Sequence, residues 1–302
     1  MGRLPRLLLL AATVFAVACE DDFSPKSDFT PKLAVFAVLD PAQPHQTVRL
    51  MWSYDAEVGA VTMPLTETQV READVRIVRG GETYVFHDTT LVAGDGATVR
   101  AWINHDLHPL PDRQYTLRVE VPGSQRVSSD ITLPSRVYVR GDLVRPDTGV
   151  ATIRVTHGVN AFTNRPAAFY FRMWVELEKW NQGDPFFVRG EIPLRHLAAT
   201  DTWIYPTPDR EEEAIWSVNM LRQIADGMVA PGDSILTRRV IINAYALERN
   251  FYSYYKIVRG FEDPRSVRLD RPDISFIDGG LGLFGGMVED SVVYNYFRFI
   301  RD

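Results

Sequence analysis

From Leu33 to about Leu133 the dominant period of apolar residues is two, that of a strand with one face buried and the other in water. In "QTVRLMWSY" the side chains of Val48, Leu50, Trp52 and Tyr54 share one face. In "QYTLRVEV" Tyr115, Leu117, Val119 and Val121 lie on one side, with Thr116, Arg118 and Glu120 on the other. "ADVRIVRGGETYVFHD" sets two such runs around Gly80 and Gly81, the two-residue loop of a hairpin. Together with "LAVFAVL", "TVRAWI" and "RVSSDITL" these segments predict about seven short strands, the pattern of an immunoglobulin-like β-sandwich over residues 33–135.

Pro134 and Ser135 interrupt that pattern, and longer alternating runs succeed it: "VATIRVTH", "AAFYFRMWVELEKW", "FFVRGEI", "SILTRRVIINAYAL" and "SVVYNYFRFI". In the second of these Phe169, Phe171, Met173, Val175 and Leu177 alternate with Tyr170, Arg172, Trp174 and Glu176. Helical spacing emerges twice. One stretch is "EEEAIWSVNMLRQIADGM", where Glu211, Glu212 and Glu213 would stand at a helix start and complement its dipole. The other is "LERNFYSYYKIVRGF", where Leu247, Phe251, Tyr254, Tyr255 and Val258 fall three and four apart. The expectation is a mainly β protein: the sandwich, then a larger β-rich domain over residues 136–302 with one or two packed helices. A length of 302 residues is compatible with two such cores.

The N-terminus changes the picture. "MGRLPRLLLLAATVFAVAC" combines basic Arg3 and Arg6 with an apolar run from Leu7 to Ala18 and small residues before the sole cysteine, the layout of an export signal over residues 1–18. The run is shorter than the roughly 18 residues that cross a bilayer as a helix. "AVAC" resembles a lipobox, which predicts acylation of Cys19 with palmitate-type chains; two or more such chains anchor stably where one does not. Residues 19–32, acidic and carrying Pro25 and Pro31, read as an extended tether. Glu20, Asp21 and Asp22 resemble the signal for the outer face of an outer membrane. A net charge of −6 without a basic block offers no footprint for nucleic acid.

Candidate chemistry is sparse. Gly280, Gly282 and Gly285 in "DGGLGLFGG" have the G-x-G-x-x-G spacing of a dinucleotide loop, but the residues beyond them read as a strand and not as the helix whose N-terminus would receive a pyrophosphate. The glycines suit a buried strand with a bulge or a close backbone approach, and substitution at Gly280 or Gly282 is expected to destabilise the second domain. His105 and His108 flank Asp106 without a third spaced ligand, so a polar loop leading into Tyr115 accounts for them and no metal is predicted. His87 and Asp88 read as a turn pair at a hairpin end. There is no G-x-S-x-G elbow, no catalytic residue can be named and no cofactor is implied. Among the aromatics Trp52 reads as core. Trp174 and Trp180, on the face of Arg172, Glu176 and Glu178, and Trp203 with Tyr205, in a polar proline-bearing loop, are the candidates for binding a ligand.

"FIDGGLGLFGG" preceded by the tyrosine-rich "NFYSYYKIV" and by "FEDPRS" resembles the C-terminal signature of the domain of unknown function 4249 family. The lipobox cysteine, "KLAVFAVLDP", the "ADVRI…GGETYVF" hairpin and "YTLRVEV" extend the resemblance over most of the chain. The resemblance implies an outer-membrane lipoprotein encoded beside TonB-dependent transporters. The expected role is therefore a non-enzymatic accessory or ligand-binding partner of such a transporter, held at the membrane by its N-terminal lipid. A surface hydrolase of glycan or peptide and a structural or adhesive surface module are the alternatives.

Overall fold

The computed structural model describes residues 30–53, 69–92, 98–124, 126–144, 151–180, 185–230, 234–260 and 275–295. The expected export signal, Cys19, most of the expected tether and Tyr54 lie outside these. The protein is mainly β, as the alternation predicts. Its first half consists of β1 (Leu33–Leu39), β2 (Gln46–Trp52), β3 (Asp74–Arg79), β4 (Glu82–Val92), β5 (Thr98–Asn104), β6 (Gln114–Glu120) and β7 (Arg126–Thr132).

These strands form two layers. β1, β2 and β5 are hydrogen-bonded neighbours in one, and β3, β6 and β7 in the other. β4 belongs to both: residues up to Phe86 pair with β3, and residues from His87 pair with β5. Val35, Leu50 and Trp102 of one layer meet Ile77, Leu117 and Ile131 of the other in a single core. Tyr115 is fully buried, and its hydroxyl accepts a hydrogen bond from the Leu110 amide at 2.6 Å, a tyrosine corner of the immunoglobulin-like type. That bond fixes the loop carrying His105 and His108. His87 and Asp88 are not a turn pair: they sit within β4, where Asp88 holds Arg100 of β5.

The second half adds β8 (Arg140–Val144), β9 (Thr152–Thr156), β10 (Ala168–Trp180), β11 (Phe186–Glu191), the hairpin β12 (Arg195–Leu197) and β13 (Thr202–Ile204), and β14 (Glu213–Ser217). Helix α1 (Val218–Gly227), β15 (Ser234–Leu247), helix α2 (Arg249–Gly260) and β16 (Leu281–Asn295) complete it. The order β11-β10-β15-β16 makes one sheet and β14-β9-β8 another. Phe171, Met173 and Val175 of β10 pack with Val155 of β9, Trp216 of β14 and Leu221 of α1 in a second core. Among the described residues no helix is long and apolar enough to cross a membrane.

Two helical expectations need correction. Glu213 opens a strand, because burying Trp216 and satisfying its indole N–H on the Ile192 carbonyl (3.0 Å) fixes 213–217 against β9. The helix starts only at Val218, capped by Ser217, whose hydroxyl accepts from the Asn219 amide. The acidic run therefore leads into β14, and Glu212 and Glu213 pair with Arg165 and Arg154. In the tyrosine helix, Leu247 belongs to β15 and Val258 is exposed. Phe251 and Tyr254 of the expected face do pack, against Gly285 and edge-on to Phe36, and Tyr252 joins them, buried against Leu247.

β16 explains the glycines. From Leu281 to Gly286 it lies parallel to β1; from Met287 onward it runs antiparallel to β15, so one strand of 15 residues enters both sheets. Gly282 has φ +108°, and a Cβ there would fall 2.1 Å from the Val35 carbonyl oxygen. A Cβ on Gly286 would meet the Leu133 side chain at 2.1 Å. The close approach anticipated for this stretch is thus real, but at Gly280 and Gly282 it is made with β1 and the first core and not within the second half.

Candidate functional site

Alternation along β10 buries Phe169, Phe171, Met173, Val175 and Leu177 and leaves Tyr170, Arg172, Trp174 and Glu176 on the opposite face of the sheet. The register of the neighbouring strands decides what surrounds them. Tyr170 lies across from Tyr245 and Glu289, and Arg172 from Asn243 and Ser291. Trp174 stands in a row with Glu191, Ile241 and Val293, and Glu176 with Arg189, Arg239 and Asn295.

Trp174 is the centre of this face. The Arg172 guanidinium lies 4.5 Å and the Arg189 guanidinium 4.4 Å from its ring centre, close enough for cation–π attraction from both. Arg172 is also clamped by Glu191 through two parallel bonds of 2.8 and 2.6 Å, and this pairing raises the guanidinium pKa further. Arg239 meets Glu176 at 2.5 Å. Tyr170 and Tyr245 stack with centroids 5.6 Å apart. The face thus combines paired charges with aromatic surface.

One end of the face is polar and partly desolvated. The Asn243 amide donates to Glu289 at 2.9 Å, while its Oδ1 is buried without a partner among the described residues. Burial raises the Glu289 carboxyl above the usual carboxylate range, against the pull of its bonds from Asn243 and Tyr245. Tyr245 is pushed up to about 12, first by burial and then by the neighbouring Glu289 charge.

The other aromatic candidates are placed apart from this centre. Trp180 ends β10 on the same side as Trp174 and is 37 % exposed; the neighbouring strand contributes Phe187, 63 % exposed. Trp203 lies on β13 and not in an open loop, with its ring stacked on His196 at 4.1 Å. His196 is itself oriented by Asp201 at 2.9 Å. Tyr205 follows β13 and is exposed. Among the described residues no ring contact joins Trp203 or Tyr205 to Trp174 or Trp180, so the four do not form one platform.

Sequence reasoning picked out Trp174 and missed Arg189, Glu191, Tyr245, Asn243 and Glu289. Strand alternation gives the parity of each, but their adjacency depends on pairing between segments up to about 120 residues apart. His105 faces His45 with ring centres 5.4 Å apart, and among the described residues no group of three or more His, Cys, Asp or Glu side chains could hold a metal ion.

Fold and face together define a mainly β protein whose second sheet carries an ordered surface of Arg, Trp, Tyr and carboxylate side chains. The chain belongs to the domain of unknown function (DUF4249) family, whose model it matches over residues 20–292. A search among curated proteins finds no match.

Proposed function

We propose that this is a lipid-anchored, non-enzymatic outer-membrane protein that works as an accessory of a TonB-dependent transporter, using the β11-β10-β15-β16 face to hold that partner. The observation that carries the reading is the Arg172–Trp174–Arg189 stack. Trp, Tyr and Arg dominate the energetics of protein interfaces, because they bury much area for little lost rotamer freedom. Here Glu191 has already restrained Arg172, so less entropy is lost on docking. Exposed Phe187 and Val293 supply apolar area at the margins of the same face.

The anchor supports a surface role. Acylated Cys19 would hold the chain at the membrane, and the tether would let the folded part reach a neighbour. In cells, wild-type protein is expected in the outer-membrane fraction and Cys19→Ser in the soluble fraction; equal membrane recovery of both overturns the anchor. Affinity capture from solubilised outer membrane is expected to retain a transporter. Trp174→Ala should weaken that retention by about 2 kcal/mol, near 30-fold, without loss of fold. Undiminished capture by Trp174→Ala overturns the assignment of the face.

A further inference from the structure

A second feature lies on a different part of the molecule. Between the end of β7, the segment before β10 and the first turns of α2 runs a cavity of about 900 Å³. Arg165, Arg210, Arg249 and Lys256 line it, against one carboxylate, Glu248. Four cations around one opening is a local excess in a chain whose net charge is −6.

The cations differ in what already holds them. Arg165 is bound to Glu212, whose second oxygen lies 3.3 Å from His157 Nε2. His157 is buried, stacked on Phe169 at 4.7 Å, and its Nδ1 accepts from the Val159 amide, so the Nε2 proton is directed at Glu212. This chain fixes Arg165 at the rim. Lys256 lies over the Tyr252 ring at 5.7 Å, and among the described residues neither it nor Arg210 is ion-paired. Glu248 attracts Arg249 electrostatically; it is buried, its Oε2 accepts from the Asn250 and Phe251 amides, and among the described residues no ion pair joins it to Arg210 or Lys256. The amides of the α2 start are thus already used, and the side-chain cations make the site.

The walls are braced by their own hydrogen bonds. The Asn164 side chain donates to the carbonyls of Thr132 and Leu133, its amide donates to the Ser135 hydroxyl, and Ser135 donates in turn to Asp112. A preformed, polar and cationic cavity favours a compact oxyanion, because charge-assisted bonds to guanidinium and ammonium are about twice as strong as neutral ones.

We propose that this cleft binds a small multiply charged oxyanion, a phosphate- or carboxylate-bearing group, through Arg210, Arg249 and Lys256 with Arg165 at the rim. The site is separate from the aromatic face and stands or falls independently of it.

The test uses the full chain carrying Cys19→Ser, so that the lipid does not contribute. Calorimetric titration with inorganic pyrophosphate and with citrate is expected to give saturable binding that weakens with added salt. Arg210→Gln and Lys256→Gln should each lower affinity by about tenfold with unchanged melting, while Arg195→Gln, on β12 outside the cleft, should leave it unchanged. Retention on vesicles containing phosphatidic acid, a lipid phosphomonoester, that is lost in both cleft variants, without binding of the soluble anions, would identify the source as a lipid headgroup. Binding of the soluble anions would identify it as a free small molecule. No binding by any probe, or binding indifferent to Arg210→Gln and Lys256→Gln, overturns the proposal.

Discussion

At the scale of single residues, glycines of this chain separate into those the fold requires and those it tolerates. Gly282→Ala forces a Cβ to within 2.1 Å of the Val35 carbonyl at a φ that L residues rarely adopt, so the expected loss is about 3 kcal/mol or more in urea unfolding. Gly227, at the end of α1, has nothing within 4 Å of an added Cβ, and Gly227→Ala is expected to be neutral or to stabilise by about 0.5–1 kcal/mol. The reverse ranking would mean that β16 does not lie against β1 as described. Glu289 gives a pH prediction. Its carboxyl is raised in the folded state, so the folded form binds more protons than the unfolded one above the ordinary carboxylate range. Its contribution to stability is therefore complete below about pH 4.5 and falls as pH rises through the folded value. Glu289→Gln should melt higher than wild type at pH 7, with the difference shrinking toward pH 4; a constant difference across that range would refute the shift.

Among the elements, β16 does the most joining. Its Asp290 carboxylate accepts from the Val139 amide, and its Tyr294 hydroxyl both donates to the Gly141 carbonyl at 2.8 Å and accepts from the Gly141 amide. Through these bonds a strand of the four-stranded sheet also seats β8 of the three-stranded one. Tyr294→Phe keeps the ring and removes both bonds, with an expected cost of about 1–2 kcal/mol and faster hydrogen exchange confined to β8 and β9. Strand identity was legible in the alternation of β1 to β7 and of β10, β11 and β15, because side-chain direction along a strand is a local property. Segment 213–217 was not. "EEEAIW" satisfies helical spacing equally well, and only the hydrogen bond of buried Trp216 to Ile192 resolves the ambiguity. Likewise β12 and β13, of three residues each, are too short for periodicity to register, and β8 buries no residue on either face to produce one.

For the molecule as a whole, the shared strands β4 and β16 tie the layers together. Ile277 and Phe284 from the C-terminal part belong to the first core, while Val288, four residues after Phe284, belongs to the second. Loss of β16 would thus expose both cores at once. A single cooperative thermal transition is expected, lowered by Leu117→Ala in the first core and by Met173→Ala in the second, each by about 2–5 kcal/mol. Two transitions, each answering to only one of these substitutions, would show that the cores unfold separately.

The division between pattern and fold comes from range. Strand-rich class and the singular character of the glycine block are properties of contiguous residues, and each is readable from the chain alone. The parity of Trp174 on its strand is readable for the same reason. So is its neighbour Arg172, two positions away on the same face; Arg189 is not, nor is the cleft, since Arg165, Arg210 and Lys256 come from separate segments and nothing in their local sequence marks them as companions. The glycines show both sides of this. Their spacing announces a tight backbone approach, but that the approaching partner is Val35, some 250 residues earlier, is decided only when β16 settles parallel to β1 and leaves no room for a side chain between them.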